Sequence, residues 1–329
     1  MSEQVLVDRA RLSSWLDGIG LGAAGELDVQ PLIGGASNAM FIVRAGAEEW
    51  VLRRPAKVAV ARADAGMRRE FLMLSALAGT SVPHPRPIAL CEDHDVLGCT
   101  FYLMARVDGF NPMPAALPEA FADTAAGSAI TFAMVDALAD LHDVDWRAAG
   151  LDEFDRSEGF HERQVERWEG QLRSYDGRPL DGTDEVVAWL STNRPGPFAP
   201  TIMHGDFHMM NVLIAPEPPA RVAAILDWET STIGDPLLDL AGFCEIWTRM
   251  TDGLDGWPSR DEIVDRYRSR RRLDSVDGLH QRMVLHNFRM AVLLEGIHQR
   301  SLHDPTRDDM TEIGEQASRF MRRARELII

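Results

Sequence analysis

The sequence predicts an α+β protein, with a small antiparallel-sheet lobe over residues 1–107 and a mainly helical lobe over 108–329. Three observations predict it. Short apolar runs at 27–33, 39–44, 50–53, 88–91 and 100–104 are bracketed by Gly, Pro and polar residues, as strands are. One segment among them, 63–78, instead repeats Met67, Phe71, Leu74 and Ala78 at helical spacing. Past Asp108 that spacing dominates: Ile130, Met134, Leu138 and Leu141 form one stripe, and Met283, Met290, Leu294 and Ile297 another.

Taken in order, the first two strands flank Gly34-Gly35-Ala36-Ser37-Asn38, which predicts a hairpin with an open turn. The helix over 63–78 is expected to end before the prolines at 83, 85 and 87. Two further short apolar runs, 212–214 and 222–226, make a strand-and-loop island within the helical lobe. No internal repeat is evident.

Composition narrows the function classes. The 329 residues are 45% hydrophobic and 26% charged, the balance of an ordinary globular protein. No stretch approaches the roughly 20 apolar residues of a membrane span. The opening MSEQVLVDRARLSSWLDG lacks the basic start and apolar core of a signal peptide, which predicts a cytoplasmic protein. A net charge of −17 argues against a nucleic-acid partner. It suits a cationic substrate or serves solubility. Lys57 is the sole lysine, so arginine and metal ions must supply the positive charge that any polyphosphate needs. Cys91, Cys99 and Cys244 are too widely spaced for a metal pattern or a disulfide framework.

The chemistry gathers in the island. His204-Gly205-Asp206-Phe207-His208-Met209-Met210-Asn211 leads into the run at 212–214, and the next run ends at Asp227-Trp228-Glu229. An Asp followed five residues later by an Asn and an apolar run resembles the catalytic loop of protein kinases. Magnesium takes oxygen ligands, usually one or two carboxylates with phosphates and water. The amide of Asn211 and the carboxylate of Asp227 suit it. A separate carboxylate, Asp206, can orient an acceptor hydroxyl and take its proton. Singly these are common turn residues; the ordered set points to phosphoryl transfer. His204 and His208 are four apart, but their loop setting and the lack of a third ligand speak against zinc.

HGDFHMMNVLI followed by ILDWETSTIGDPLLDLA resembles the signature of the aminoglycoside-phosphotransferase family of kinase-like enzymes, which includes kinases of antibiotics, choline and homoserine. LADLHDVDWRAAGL, EGFHERQVERWEGQL and FRMAVLLEGIHQR are similar to the branch whose kinase domain is fused, in some organisms, to acyl-CoA dehydrogenases. The resemblance implies a protein-kinase-like two-lobe fold with its hinge near 104–108. It implies transfer of a phosphoryl group from ATP, with GTP open, to a hydroxyl of a small molecule in the presence of Mg2+. A hydroxy-acid or acyl-CoA-like acceptor follows from the branch. An aminoglycoside kinase and a nucleotide-binding pseudokinase are the alternatives, the second disfavoured by a complete catalytic set. A protein partner is left unspecified.

Carried over by residue, the resemblance implies Asp206 as catalytic base and Asn211 and Asp227 as metal ligands. His204 would be a scaffold residue. Asp239 would brace the catalytic loop or stand as a helix N-terminal carboxylate. Gly34, Gly35, Ser37 and Asn38 correspond to the phosphate-covering loop, or simply to a turn. Arg53 stands where relatives carry lysine, with Glu70 as its ion-pair partner or as a solvated helix residue. Met104 and Arg106 belong to the hinge, whose backbone would meet the adenine edge. On the acceptor side the candidates are Glu229, Arg289 and Glu295, with Arg163, Trp168 and Arg300 behind them. Arg289 is expected at the start of a helix over AVLLEGIHQR.

Overall fold

The computed structural model describes residues 6–22, 26–32, 38–56, 61–303 and 310–329. The strands are β1 (Asp28–Leu32), β2 (Asn38–Ala45), β3 (Glu48–Pro55), β4 (Pro87–Cys91) and β5 (Phe101–Ala105), then β6 (Thr201–Met203), β7 (Val212–Ile214), β8 (Val222–Ile225) and β9 (Thr232–Gly234). The helices are α1 (Arg9–Gly18), α2 (Ala61–Leu77), α3 (His94–Leu97), α4 (Ala126–His142) and α5 (Phe160–Arg173). They continue as α6 (Thr183–Thr192), α7 (Pro236–Thr251), α8 (Arg260–Arg270), α9 (Leu279–His303) and α10 (Thr311–Glu326). The fold is α+β, as expected.

These elements gather into two units. The first comprises Met1–Pro112 and Asn211–Ser231, the second Met113–Met210 and Thr232–Ile329. The sequence places the first boundary at 107 and assigns the whole island to the helical lobe; the structure divides the island. Backbone bonding explains this. Phe110 and Ile214 exchange N–H···O bonds of 3.0 and 2.9 Å, and Ile225 N–H donates to Pro83 O at 2.8 Å, which ties the β7–β8 hairpin to the first unit.

In the first unit five strands form one antiparallel sheet in the order β1-β2-β3-β5-β4. Alternation sends Phe41, Val43, Trp50, Leu52, Phe101 and Leu103 into one core. Two helices join α2 here that the apolar pattern did not reveal. One is α1, capped by Asp8, which seals that core with Leu12 and Leu16; the other is the single turn α3. Burying such a leucine is worth about 1.5–3 kcal/mol. α2 stops at Leu77, within a residue of the expected end and ahead of the prolines, where Gly79 at φ 84° turns the chain.

The second unit is built on α9, one helix of 25 residues. Phe288, Ala291 and Val292 of α9 pack with Val186 and Leu190 of α6 and with Phe320, Met321 and Ala324 of α10. Met290 and Leu294 only flank this core, so the buried stripe lies beside the one the methionines mark. The short pair β6–β9 is antiparallel, with Ile202 opposite Ile233. All three cysteines are buried free thiols, and no helix among the described residues is long and apolar enough to cross a membrane.

Candidate active site

In the first unit, β3 carries Arg53 and Arg54 in succession, and the pleat sends them to opposite faces. Arg54 shares the core face with Trp50 and Leu52 and donates to the carbonyls of Pro55, Leu6 and Leu97. Arg53 and its cross-strand partner Tyr102 share the other face, where Tyr102 meets Phe71 of α2 at a ring distance of 5.9 Å. There the Arg53 guanidinium is encircled by carboxylates. Nε lies 3.0 Å from Glu70 Oε2, and Nη2 lies 2.7 Å from Asp227 Oδ1 and 3.7 Å from Glu229 Oε2. Burial works against its charge, but Glu70, Tyr102 and Asp227 outweigh it and raise the Arg53 pKa above the usual arginine value.

Glu70 is 1% exposed, and its Oε1 accepts the Trp228 N–H at 3.2 Å. Burial pushes its carboxyl up, and Arg53 draws it back down. Asn38 Nδ2 donates to Glu229 Oε2 at 3.1 Å. Gly34, Gly35 and Ser37 fall outside the described residues. Of the residues expected at a hinge, Met104 is paired in the sheet with Val51 and Pro87. Arg106, just past β5, bonds Glu49 at 2.5 Å and lies 3.4 Å from Asp108.

Asn211 and Asp227 are neighbours through the β7–β8 ladder. Val212 pairs with Ile225, and one step outward Leu226 N–H donates to the Asn211 carbonyl at 2.8 Å. Asp227 follows at φ 64°, ψ 66°, a left-handed conformation that costs an L-residue roughly 1–2 kcal/mol. The donor chemistry fits magnesium: one amide oxygen and one carboxylate, both hard, leaving most of an octahedron to phosphate and water. Among the described residues no group of three His, Cys, Asp or Glu could hold a metal unaided, so a closed protein cage is not on offer.

In the second unit the loop after β6 is held by its backbone. Asp239, in the first turn of α7, accepts the His204 N–H at 2.6 Å on Oδ2 and the Gly205 N–H at 2.8 Å on Oδ1. His142 Nε2 lies 3.4 Å from the same Oδ2, while His142 Nδ1 meets the Tyr267 hydroxyl at 2.6 Å. Burial pushes the Asp239 carboxyl up; the bonds from His142 and Gly205, with the charges nearby, hold it below the usual carboxylate range. Gly205 sits at φ 84°, which presents both N–H groups to Asp239 without a side-chain clash.

Asp206 is half-buried. Its N–H donates to His204 Nδ1 at 3.3 Å, and its Oδ1 lies 3.4 Å from His208 Nε2. His208 Nδ1 accepts the Met210 N–H at 3.2 Å, so a neutral His208 carries its proton on the nitrogen facing Asp206. Burial raises the Asp206 carboxyl, and His208, then His204 and His286, more than offset it, leaving it ionised below its ordinary range.

Of the acceptor candidates, Glu229 belongs to the first unit and Arg163, Arg289 and Glu295 to the second. Glu229 stands in the first unit with Arg53 and Asn38. Glu295 is 1% exposed and committed to Arg178, whose Nε and Nη2 reach it at 3.0 and 2.8 Å, and to Gln299 at 2.8 Å. Arg163 donates to the carbonyls of Arg156 and Glu158. Arg289 lies in the middle of α9, not at a helix start, because the polar residues before it are absorbed into one continuous helix. Its guanidinium lies 5.4 Å from the Trp168 ring.

Sequence reasoning missed two supports. One is the His142–Tyr267 pair behind Asp239. The other is Asp235, which caps α7 through Leu237 N–H at 3.0 Å and takes His161 Nε2 and Arg282 Nε at 2.6 Å each. The Gly234-Asp235-Pro236 step signals the cap, but nothing in the spacing signals its distant partners.

The profile of the phosphotransferase enzyme family matches residues 28–275. Mouse acyl-CoA dehydrogenase family member 10 is 31% identical over 304 residues, which are 88% of this chain and 28% of that protein. Chicken acyl-CoA dehydrogenase family member 11 is 32% identical over 294 residues, 85% of this chain and 37% of that protein. The chain thus spans well under half the length of these relatives. A Ralstonia eutropha structure assigned to the aminoglycoside phosphotransferases has a TM-score of 0.84 at 29% identity, covering 97% of this chain and 98% of that one. With the fold, the match over most of the chain and these relatives in agreement, the chain belongs to the aminoglycoside-phosphotransferase family of phosphotransferase enzymes, with a kinase-like fold.

Proposed function

We propose that this protein transfers the γ-phosphoryl group of ATP to a hydroxyl of a small molecule. The observation that supports the reading is the bond from the Leu226 N–H to the Asn211 carbonyl, which pairs the backbone of one proposed magnesium ligand, Asn211, with the residue preceding the other, Asp227. Bound there, magnesium would neutralise phosphate charge and align the transferring group. Arg53 supplies fixed positive charge to the same unit, with Glu70 holding it in place. In the second unit, Asp206 orients the acceptor hydroxyl and takes its proton as the oxygen–phosphorus bond forms. His208 and the Asp239-anchored backbone keep that carboxylate ionised and oriented.

A hydroxy-acid or acyl-CoA-like acceptor is favoured, because the curated relatives are acyl-CoA dehydrogenase family members. The test is ADP production from Mg-ATP, and GDP production from Mg-GTP, over hydroxy-acids, their CoA thioesters, amino alcohols and aminoglycosides, with Asp206→Asn as the blank. Acceptor-dependent turnover lost in the variant supports the reading. Turnover that survives the variant removes Asp206 from the mechanism.

A further inference from the structure

We infer that Arg289, with His286 one turn before it on α9, forms a subsite for an oxyanion carried by the acceptor, within electrostatic reach of Asp206. The inference rests on the phosphotransferase reading of Asp206.

Arg289 is a cation without a counterion. Its Nε is enclosed and bonded to nothing, and among the described residues the guanidinium has no hydrogen bond and no ion pair. The guanidinium lies over the face of Trp168, and a second cation, Arg167, lies 5.0 Å from that same ring. The carboxylates Arg289 feels are Asp239 and Asp206, and Asp239 is already engaged by His204, Gly205 and His142. The chain carries 51 Asp and Glu against 34 Lys and Arg. Leaving a guanidinium unpaired in such a chain costs stability that an internal carboxylate would readily recover. Unmet cost of this kind is typical of a group kept for a ligand.

His286 extends the site. Residues three apart share a helix face, so its ring neighbours Arg289. Its Nε2 is enclosed and also without a partner, and the ring is buried against Gly242, whose missing side chain leaves room for it. Burial, reinforced by Arg289, pushes the imidazole down to about 3, so at neutral pH it is an uncharged ring able to bond a hydroxyl or an oxyanion. Arg289 and Asp206 each contribute to the electrostatics of His286, which places the three in one neighbourhood of the second unit. A guanidinium fork fits the two oxygens of a carboxylate or phosphate. The acceptor would thus be held by its anionic group while its hydroxyl is presented to Asp206.

The test uses the full chain and calorimetric titration, which requires no turnover. The probes are a medium-chain hydroxy-acid, its CoA thioester and its uncharged hydroxy-amide, titrated into the native chain, Arg289→Met and Arg289→Lys. The native chain is expected to bind an anionic probe at least ~30-fold more tightly than the amide, Arg289→Met to abolish that preference, and Arg289→Lys to keep part of it. Preference for the acid identifies a carboxylate as the oxyanion; preference for the thioester identifies the CoA phosphates. The ligand-free melting temperature gives a second readout. Arg289→Met should raise it by ~2 °C or more, whereas replacing a merely structural arginine would lower it. No discrimination among the probes, or discrimination unchanged in Arg289→Met, overturns the subsite. Arg289-dependent binding without turnover keeps the subsite and removes the phosphotransfer reading; Asp206-dependent turnover with Arg289-independent binding does the reverse.

Discussion

Arg53 and Asp227 are 174 residues apart in the chain and 2.7 Å apart in space. The Nε of the same guanidinium lies 3.0 Å from Glu70 Oε2, an ion pair. A lysine ammonium is a compact point charge and lacks the fork that serves two carboxylates in fixed directions. Arginine here is the clasp between β3, α2 and the end of β8, and under the proposed function it is also the phosphate-side cation.

Removing that clasp leaves Glu70 buried beside nothing positive. Arg53→Ala is expected to destabilise the protein by about 3–5 kcal/mol, read as a lowered melting temperature. Arg53→Ala combined with Glu70→Gln should recover a large part of the loss, because the uncompensated charge is gone. Arg53→Lys should fold and bind Mg-ATP roughly tenfold more weakly. Equal melting temperatures for the single and double variants would show that the pair is not coupled.

Asp206 and Asp227 separate by kinetic signature. Asp206→Asn should lower kcat by about 10²–10⁴-fold with nucleotide affinity retained. Asp227→Ala should weaken Mg-nucleotide binding instead, visible as a raised nucleotide KM and a shifted magnesium dependence. Variants that behave alike would merge the two roles.

The backbone clamp of Asp239 on the loop after β6 is expected to be costly to break. Asp239→Ala strands two enclosed N–H groups and the His142 ring, for a loss of about 3 kcal/mol. Gly205→Ala forces an L-side chain into φ 84° and should cost roughly 1–2 kcal/mol with a marked fall in kcat. Denaturant titrations of both variants, with Asp206→Asn as the control for catalysis alone, test this.

Acid sensitivity should carry a histidine component. His286 titrates near 3 in the folded chain against 6.5 as its ordinary value, and burial lowers His142 in the same direction. Below pH 6.5 the unfolded chain binds protons that the folded chain does not, so this contribution is complete above 6.5 and is lost as pH falls toward 3. The slope is on the order of 1 kcal/mol per pH unit for one such group. Glu70, whose carboxyl is raised, acts in the opposite sense between about pH 4.5 and 7. The informative quantity is therefore the difference between the native chain and His286→Gln. The native chain should lose stability faster on acidification from pH 6.5 to 5; parallel curves would remove His286 from the account.

Much of the sheet was legible because its signal is local. Every apolar run from 27 to 104 became a strand within a residue or two, and the β7–β8 pair followed its two short runs closely. The two helices missed in the first unit carry weaker marks. In α1 only Leu12 and Leu16 are fully buried, Trp15 packs partly buried against Phe101, and most of the other residues are polar and exposed. The triplet Asp206, Asn211 and Asp227 stands out in the sequence because its residue types follow one another at a spacing that phosphoryl transfer would demand. The supports behind it were not. Tyr267 lies 125 residues from His142 and Arg178 lies 117 from Glu295, and a polar side chain satisfied by so distant a partner leaves no periodicity. Glu295 shows the effect: on sequence it is a free carboxylate near a signature, and in the fold it is an internal tie.

The opposite facing of Arg53 and Arg54 gives the β2–β3 hairpin a counting function. Two identical side chains stand side by side, and only parity decides which of them meets Asp227 and which is sunk among carbonyls. Deleting a single residue between the Gly46–Ala47 turn and Arg53 would bring Arg54 to the register position that faces Asp227 and turn Arg53 toward the core. The odd-or-even length of that strand thus decides which charge stands beside Asp227 as firmly as the arginine itself does.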